Sequence, residues 1–252
     1  EKCLEKNVDY LCTAFDLESL KFLNESFDLK YFKIASGEIF SIDMLEYISN
    51  FNKPIILSTG MAEYNEIKVT LKVLNKNSKK NITILHCISN YPTKIKNINL
   101  NVMTKIREIF GCPVGFSDHT EDTFTSLVAV SMGAKIIEKH FTFDKKLQGP
   151  DHKASSTIDE FKKLVEDIRK IIVVQGTDKN LITIEEKEIA NVARKSIVAK
   201  SDLDKETILL ENHICFKRPG TGILPIYKDK ITGKKLKNKI LKNHIIRFED
   251  LY

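Results

Sequence analysis

The sequence reads PVGFSDHT from Pro113 to Thr120 and KIIEKHF from Lys135 to Phe141. Each stretch contains a short apolar run followed by polar or charged residues, with His119 and His140 near the two ends. Short apolar runs of this kind are typical of strands that are buried on both faces of a parallel sheet. The two stretches are therefore predicted to be consecutive strands joined by a helix.

The same pattern recurs through the preceding sequence. Strands are predicted at Tyr10–Ala14, Tyr31–Ala35, Ile55–Ser58, Ile82–His86, Pro113–Phe116 and Lys135–His140. Segments with helical periodicity separate them, and the clearest helix, Thr157–Ile172, opens with a capping box formed by Thr157 and Glu160. Strands that alternate with helices indicate an α/β fold with a parallel sheet.

Polar residues follow nearly every predicted strand, and this decides between two architectures. A doubly wound sheet accommodates six strands, whereas a (β/α)8 TIM barrel requires two more. In a barrel, the carboxyl ends of all strands together form the active-site face. We therefore predict a TIM barrel in residues 1–175 that is N-terminally incomplete, with its first two βα units absent from this chain.

The pattern changes after Gly176. Gly and Pro turns, short β-like runs and many lysines predict a small, mostly β domain at residues 190–252, with the boundary between 173 and 192. Residues 194–252 hold 14 Lys and Arg against 7 Asp and Glu, in a chain of net charge +6. Such a basic segment is compatible with nucleic-acid binding, with the steering of an anionic substrate, or with a solvated lysine-rich surface.

The composition is that of a folded protein, with 42% hydrophobic and 29% charged residues and no Trp. No apolar run approaches the roughly 20 residues of a membrane span, so no membrane association is expected. The five cysteines lack paired spacing. A disulfide framework or zinc ribbon is therefore not expected, and a cytoplasmic location is predicted.

His119 and His140 are candidate metal ligands because they follow neighbouring strands. Imidazole suits Zn, Mn, Fe, Ni and Cu, and oxygen ligands tilt the choice toward Mn²⁺. Asp118, Glu138 and Asp151 lie nearby and are expected to contact the metal ligands or the substrate, which favours a metal site. The spacing alone leaves a structural role for both histidines equally open.

Strand alternation places Glu138 and His140 on one face and Lys139 on the other. It also lets Lys33 face inward, with Ser36 just beyond the strand. A lysine surrounded by the hydroxyls of Ser36, Ser58, Thr13 and Ser117 is suited to a phosphate or carboxylate. The glycine-rich motifs of nucleotide cradles are absent from the sequence.

These motifs together resemble the bacterial N-acetylneuraminate (sialic acid) synthase family, which includes the legionaminate and pseudaminate synthases. The resemblance rests on five stretches: STGM at 58–61, HC at 86–87 with YPT at 91–93, GFSDHT at 115–120, EKHF at 138–141, and GPDH at 149–152. The C-terminal stretches Arg194–Ser196 and Lys217–Gly220 resemble the antifreeze-like (SAF) domain that follows these barrels.

The resemblance implies a Mn²⁺-dependent condensation of phosphoenolpyruvate with an N-acylated mannosamine-type sugar aldehyde, with release of phosphate. It assigns His119 and His140 to the metal, and Glu138, Asp151 and Lys33 to catalysis. It assigns phosphoenolpyruvate binding to Thr13, Lys33, Ser36, Ser58 and Ser117, and sugar binding to Tyr91, Ser89, Asp151 and Arg218. It further implies a domain-swapped homodimer, in which Arg218 enters the partner's site, and no nucleic-acid partner.

Three alternatives remain. A legionaminate or pseudaminate synthase would use a 2,4-diacetamido sugar. A KDO-8-phosphate or DAHP synthase is disfavoured by residues 194–252, which those enzymes lack. A non-catalytic, truncated homologue is the third, because the Glu and Lys of the family's first two strands have no match in this chain.

Overall fold

Five parallel strands form the sheet of the N-terminal unit. In the computed structural model, which describes residues 2–77, 81–177 and 181–252, they pair in the order β1-β2-β3-β4-β5. The strands are β1 Phe32–Ile34, β2 Ile55–Ser58, β3 Ile82–Cys87, β4 Val114–Asp118 and β5 Ile137–Lys139. Every neighbouring pair is parallel.

The sheet is strongly curled. Strand β1 is at one end of the strand order and β5 at the other, yet Lys33 Nζ on β1 lies 3.4 Å from Glu138 Oε2 on β5. Four strand spacings in a flat sheet would separate these strands by roughly 19 Å. The strands therefore bend around a common interior, as they do in part of a TIM barrel, and the predicted fold class is confirmed.

Eight α-helices are present in the described residues. They are α1 Lys2–Glu5, α2 Leu17–Ser26, α3 Ile42–Ser49, α4 Tyr64–Leu74, α5 Asn101–Phe110, α6 Phe124–Ser131, α7 Ile158–Gln175 and, in the C-terminal unit, α8 Ile184–Ala193. The predicted capping box of α7 is confirmed, because Thr157 N donates to Glu160 Oε2 at 2.9 Å and Glu160 N to Thr157 Oγ1 at 3.4 Å. Within the described ranges, no helix has both the length and the apolar character needed to cross a bilayer.

The core of the N-terminal unit lies between the sheet and these helices. The strand residues Phe32, Ile34, Leu57, Ile84 and Phe116 are at most 1% exposed. They pack against apolar residues of the helices, among them Leu45, Ile67, Leu74, Met103 and Ile106. Burial of both strand faces explains why these strands read as continuous apolar runs.

The predicted strand at Tyr10–Ala14 is wrong. This segment is irregular, and Tyr10 and Leu11 are exposed. A strand requires a neighbour to accept its backbone hydrogen bonds, and in the described chain β1 pairs with β2 alone. Tyr10 instead packs on Phe27, with the ring centroids 5.5 Å apart. The other five predicted strands are present: β2 has the predicted ends, and the ends of the other four differ from the prediction by at most two residues.

The C-terminal unit comprises Thr177–Tyr252. Its antiparallel strands, β6 Ser196–Ala199 and β7 Ile214–Lys217, pair in a small sheet. Isolated β-bridges, such as Leu203 to Ile240 and Leu236 to Leu251, pair other segments of this unit. The core consists of aliphatic side chains, including Ile197, Leu209, Ile231, Leu236 and Ile246.

Candidate active site

A cavity of about 500 Å³ opens at the carboxyl ends of the five parallel strands. This volume is in the range of small-molecule sites. Ten of the twelve predicted site residues line it: Thr13, Lys33, Ser36, Ser58, Ser89, Tyr91, Ser117, His119, Glu138 and His140. The curled sheet thus brings residues from distant parts of the sequence to one place.

Lys33 forms the polar floor of this cavity with three partners. Its side chain is buried, and Nζ donates to Ser58 Oγ at 2.9 Å and to Ile34 O at 3.1 Å. The Glu138 carboxylate faces the ammonium group at 3.4 Å, and Ser117 Oγ donates to the other oxygen of Glu138 at 2.7 Å. A buried ammonium group without such partners would be costly. The cluster therefore places one ammonium group and two hydroxyl groups beside one carboxylate.

Ser36 and Ser89 close the cavity beside β2. Gly60 N donates to Ser36 Oγ at 2.9 Å. A Cβ atom at Gly60 would lie 2.2 Å from Ser89 Oγ and 2.9 Å from Ser36 Oγ. Only glycine leaves both hydroxyl groups where they are, so residue 60 is constrained by close approach and not by its backbone angles.

The two histidines face each other beside the Lys33 cluster, with His119 Nε2 3.4 Å from Ser117 Oγ. Their ring centroids are 5.3 Å apart, and the Tyr91 ring lies 4.1 Å from His119 and 5.4 Å from His140. His119 Nδ1 lies 2.8 Å from Ile88 O. Because a carbonyl only accepts, Nδ1 carries the proton and Nε2 keeps a free lone pair.

Burial lowers the pKa of both imidazoles. For His119, desolvation is the main cause, and the hydrogen bond to Ile88 partly opposes it. For His140, desolvation is again the main cause, and repulsion from His119 adds to it. Both rings are therefore neutral near pH 7, which is the form that binds metal ions.

The residues present fit the nitrogen part of a metal site. Two neutral imidazoles, one with its tautomer fixed by a carbonyl, are the arrangement expected of histidine ligands. Among the described residues, no group of three His, Cys, Asp or Glu side chains is placed to share one ion. The described residues therefore bring two imidazoles together without a third His, Cys, Asp or Glu side chain placed to share an ion with them.

The remaining two predicted residues lie elsewhere. Asp151 follows β5 in a loop, and its Oδ2 is 3.9 Å from His140 Nδ1. This places the carboxylate beside the histidine pair. Arg218 belongs to the C-terminal unit, where its Nε donates to Ala193 O at 2.8 Å.

Asp118 and Lys139 form a buried ion pair on the outer face of the sheet. Their charged atoms are 3.5 Å apart, and the two side chains are 0% and 1% exposed. Lys139, which strand alternation predicts to point away from the interior, contributes to the cavity lining, while its ammonium group contacts Asp118 and Thr120 O. Asp118, which was expected near the metal and substrate, does not line the cavity. Burial lowers the pKa of Lys139, and the Asp118 carboxylate partly opposes this shift.

Cys87 is a cavity residue that the sequence analysis missed. It ends β3 and accepts a hydrogen bond from Ser36 Oγ at 3.6 Å, while its Sγ lies 3.9 Å from His119 Nδ1. Its position at a strand end was the available signal. A small thiol after an apolar run is more often an ordinary core residue, which is why it was passed over.

Comparison with known proteins supplies the family. A model described as the NeuB family matches residues 1–180, and a SAF domain model matches residues 194–251. The chain belongs to the NeuB family. This confirms the resemblance drawn from the motifs around His119 and His140.

Several NeuB relatives carry more specific names. The N,N'-diacetyllegionaminic acid synthase of Campylobacter jejuni is 44% identical over 98% of this chain and 73% of its own length. The pseudaminic acid synthase of Helicobacter pylori is 35% identical over 95% of this chain and 70% of its own. A crystal structure of the N-acetylneuraminic acid synthetase of Leptospira borgpetersenii, with citrate, has a TM-score of 0.68. It is 34% identical over 74% of this chain and 65% of that one. These three relatives of the NeuB chain are thus named as synthases of diacetyllegionaminic, pseudaminic and N-acetylneuraminic acid.

Proposed function

We propose that the protein condenses phosphoenolpyruvate with the aldehyde of an N-acylated amino sugar, releasing phosphate. One observation carries the proposal: a lysine with a set of hydroxyl groups and a pair of neutral imidazoles share one cavity. The first group suits an anionic phosphate, and the second suits a metal that polarises a carbonyl. Membership of the NeuB family supports the same reaction.

Phosphoenolpyruvate would bind at the Lys33 side. Lys33 supplies the positive charge, and Ser58 and Ser117 supply hydroxyl groups from the ends of β2 and β4. Ser36 and Thr13 extend the hydroxyl set along the cavity wall. Because these groups come from rigid strand ends, they orient the phosphate before the reaction begins.

His119 and His140 would hold the metal, which we propose is Mn²⁺. When bound, such an ion withdraws electron density from a carbonyl oxygen. His119 has Nε2 available for this role because Nδ1 is engaged with Ile88 O. Tyr91, against both rings, would face the sugar.

The reaction forms a bond between C3 of phosphoenolpyruvate and the aldehyde carbon. The aldehyde oxygen takes a proton, and C2 becomes electron-poor. Water adds to C2 and gives up a proton, which leaves a hydroxyl group on C2. Phosphate then departs with the electrons of its bond to C2, while that hydroxyl loses its proton and forms the C2=O double bond of the product. Glu138, between Lys33 and Ser117, is the base we assign to the water, and Asp151, beside His140, would contact the sugar.

The acceptor we favour is a 2,4-diacetamido sugar. The supporting observation is the 44% identity to the C. jejuni diacetyllegionaminic acid synthase over nearly the whole chain. N-acetylmannosamine is the second candidate, supported by the 34% identity to the L. borgpetersenii N-acetylneuraminic acid synthetase. We further propose that Arg218 completes the site in a domain-swapped homodimer.

Phosphate release by the full-length gene product tests both the reaction and the acceptor. The assay supplies phosphoenolpyruvate and Mn²⁺ with N-acetylmannosamine, its 6-phosphate or a 2,4-diacetamido sugar. We expect release only with both metal and sugar, and fastest with the diacetamido sugar. Sugar-dependent release that persists in the His119→Ala/His140→Ala variant would contradict the metal role. No release with any sugar would favour a non-catalytic homologue.

A further inference from the structure

The buried pair Asp118–Lys139 connects the two strands that end in the histidines. Asp118 on β4 and Lys139 on β5 occupy the same rung of the parallel register. The next residue along each strand is His119 or His140. Alternation turns the ion pair outward and the two imidazoles inward, so one contact ties the backbones that carry both rings.

Asp118 is held by more donors than a structural carboxylate needs. Its Oδ1 accepts from Thr120 N at 2.9 Å and from Thr120 Oγ1 at 2.7 Å, and its Oδ2 accepts from Thr125 Oγ1 at 2.8 Å and Ser126 Oγ at 2.6 Å. The bond to Thr120 N spans His119. Lys139 Nζ also donates to Thr120 O, so both members of the pair hydrogen-bond to the backbone of the residue that follows His119.

The histidine carbonyls are anchored on the other side. Thr93 N donates to His119 O, and Ser156 N donates to His140 O, each at 2.8 Å. The main chain at each histidine therefore lies between the ion pair and one loop amide. Its position can shift only if one of these contacts is lost.

We propose that Asp118 and Lys139 are positioning residues that set the separation of His119 and His140. A buried ion pair adds little net stability compared with apolar side chains of similar size, because desolvation offsets the attraction. Its directional bonds do define geometry, however. Two imidazoles on adjacent strands can bind one metal ion only if they are held at a fixed separation. Because metal binding is part of the proposed function, the inference rests on that function.

The first test uses the metal-free protein and is independent of catalysis. Hydrogen exchange is measured at the amides of Thr93 and Ser156 in Asp118→Asn and Lys139→Met. We expect exchange at both amides to be faster by at least about tenfold. The amide of Ile84 donates to Pro113 O at 3.0 Å, and its exchange reports opening of the wider sheet. Its exchange rate should change much less.

A matched control separates positioning from general destabilisation. Leu74→Ala removes a fully buried side chain of α4 and should speed exchange at all three amides together. If Asp118→Asn and Lys139→Met behave like Leu74→Ala, or leave Thr93 and Ser156 unchanged, the positioning role is wrong.

The second test measures Mn²⁺ affinity directly by electron paramagnetic resonance. We expect the dissociation constant to rise about 10- to 100-fold in Asp118→Asn, with Lys139→Arg recovering much of the affinity that Lys139→Met loses. Unchanged affinity in both charge-removing variants would overturn the inference. If the unaltered protein binds no Mn²⁺, the proposed function fails, while the exchange measurement still decides whether the pair positions the histidine backbone.

Discussion

Lys33 Nζ on β1 lies 3.4 Å from Glu138 Oε2 on β5, although three strands separate β1 from β5 in the sheet. This contact crosses the interior of the curled sheet. It joins the residue assigned to the phosphate of phosphoenolpyruvate to the residue assigned to the attacking water. The two ends of the proposed reaction are therefore electrostatically linked in the protein itself.

Removing the Lys33 charge should impair phosphoenolpyruvate turnover. Lys33→Met takes away the buried cation that contacts Ser58 and Glu138. We expect kcat/KM for phosphoenolpyruvate to fall by about 10²- to 10³-fold, as when one preorganised donor is lost from a charged transition state. Lys30→Met is the control, because Lys30 is exposed and pairs with Asp9 outside the cavity. Equal losses in both variants would contradict the role of Lys33.

Gly60 should tolerate no side chain unless Ser89 is shortened. Gly60→Ala places a methyl group against the hydroxyl of Ser89, at an overpacking cost of about 1–3 kcal/mol. We expect lower activity and a lower midpoint of urea unfolding. In the double variant Gly60→Ala/Ser89→Ala, the closest atom is gone and stability should recover in part. If the stability does not recover, the contact with Ser89 is not what destabilises Gly60→Ala.

His86 should make the protein less stable in acid. It is buried, with Nε2 2.7 Å from Ile98 O, and burial lowers its pKa below the usual 6.5. The folded protein thus holds His86 neutral, while the unfolded chain takes up a proton. The stabilisation is complete above pH 6.5 and is lost as the pH falls through the folded pKa, by up to about 1.4 kcal/mol per pH unit.

The matched variant for this prediction is His86→Gln, which keeps an amide donor for Ile98 O but does not titrate. Urea unfolding between pH 7 and pH 5 should show a shallower loss of stability in His86→Gln than in the unaltered protein. His119 and His140 contribute in the same direction, so some acid sensitivity should remain. Identical pH profiles would show that His86 is protonated equally in both states.

A domain-swapped homodimer makes a quantitative prediction for mixed subunits. Arg218→Ala and His119→Ala should each be inactive alone. If Arg218 acts in the partner's site, half of the randomly mixed dimers are hybrids, and each hybrid has one intact site. Mixing equal amounts after reversible dissociation should then restore about a quarter of full activity. No recovery would mean that Arg218 acts within its own subunit or not at all.

Much of this site could be predicted from strand alternation and motif order. Lys33 and Glu138 were correctly turned inward because neighbours along a strand point to opposite faces. The capping box of α7 was visible because Thr157 and Glu160 have the required spacing. These features depend on residues close together in sequence.

The failures concern contacts between distant segments. Tyr10–Ala14 has the composition of a strand, but strand formation depends on a pairing partner, which composition does not report. Asp118 is expected to contact the metal ligands or the substrate, but its spacing from His119 does not reveal its partners Thr125 and Ser126 in the following helix. The contact between Lys33 and Glu138 depends on the curvature of the whole sheet.

The assignment of polar groups to separate strand ends has an evolutionary consequence. Lys33, Ser58 and Ser117 are on β1, β2 and β4, while Ser89 and Tyr91 are in the loop after β3 and Asp151 is in the loop after β5. Two loops can therefore diverge without moving the lysine or its hydroxyl partners. Such a division would let one ancestral barrel acquire new acceptor sugars by exchanging loops, while the half that handles phosphoenolpyruvate is inherited unchanged.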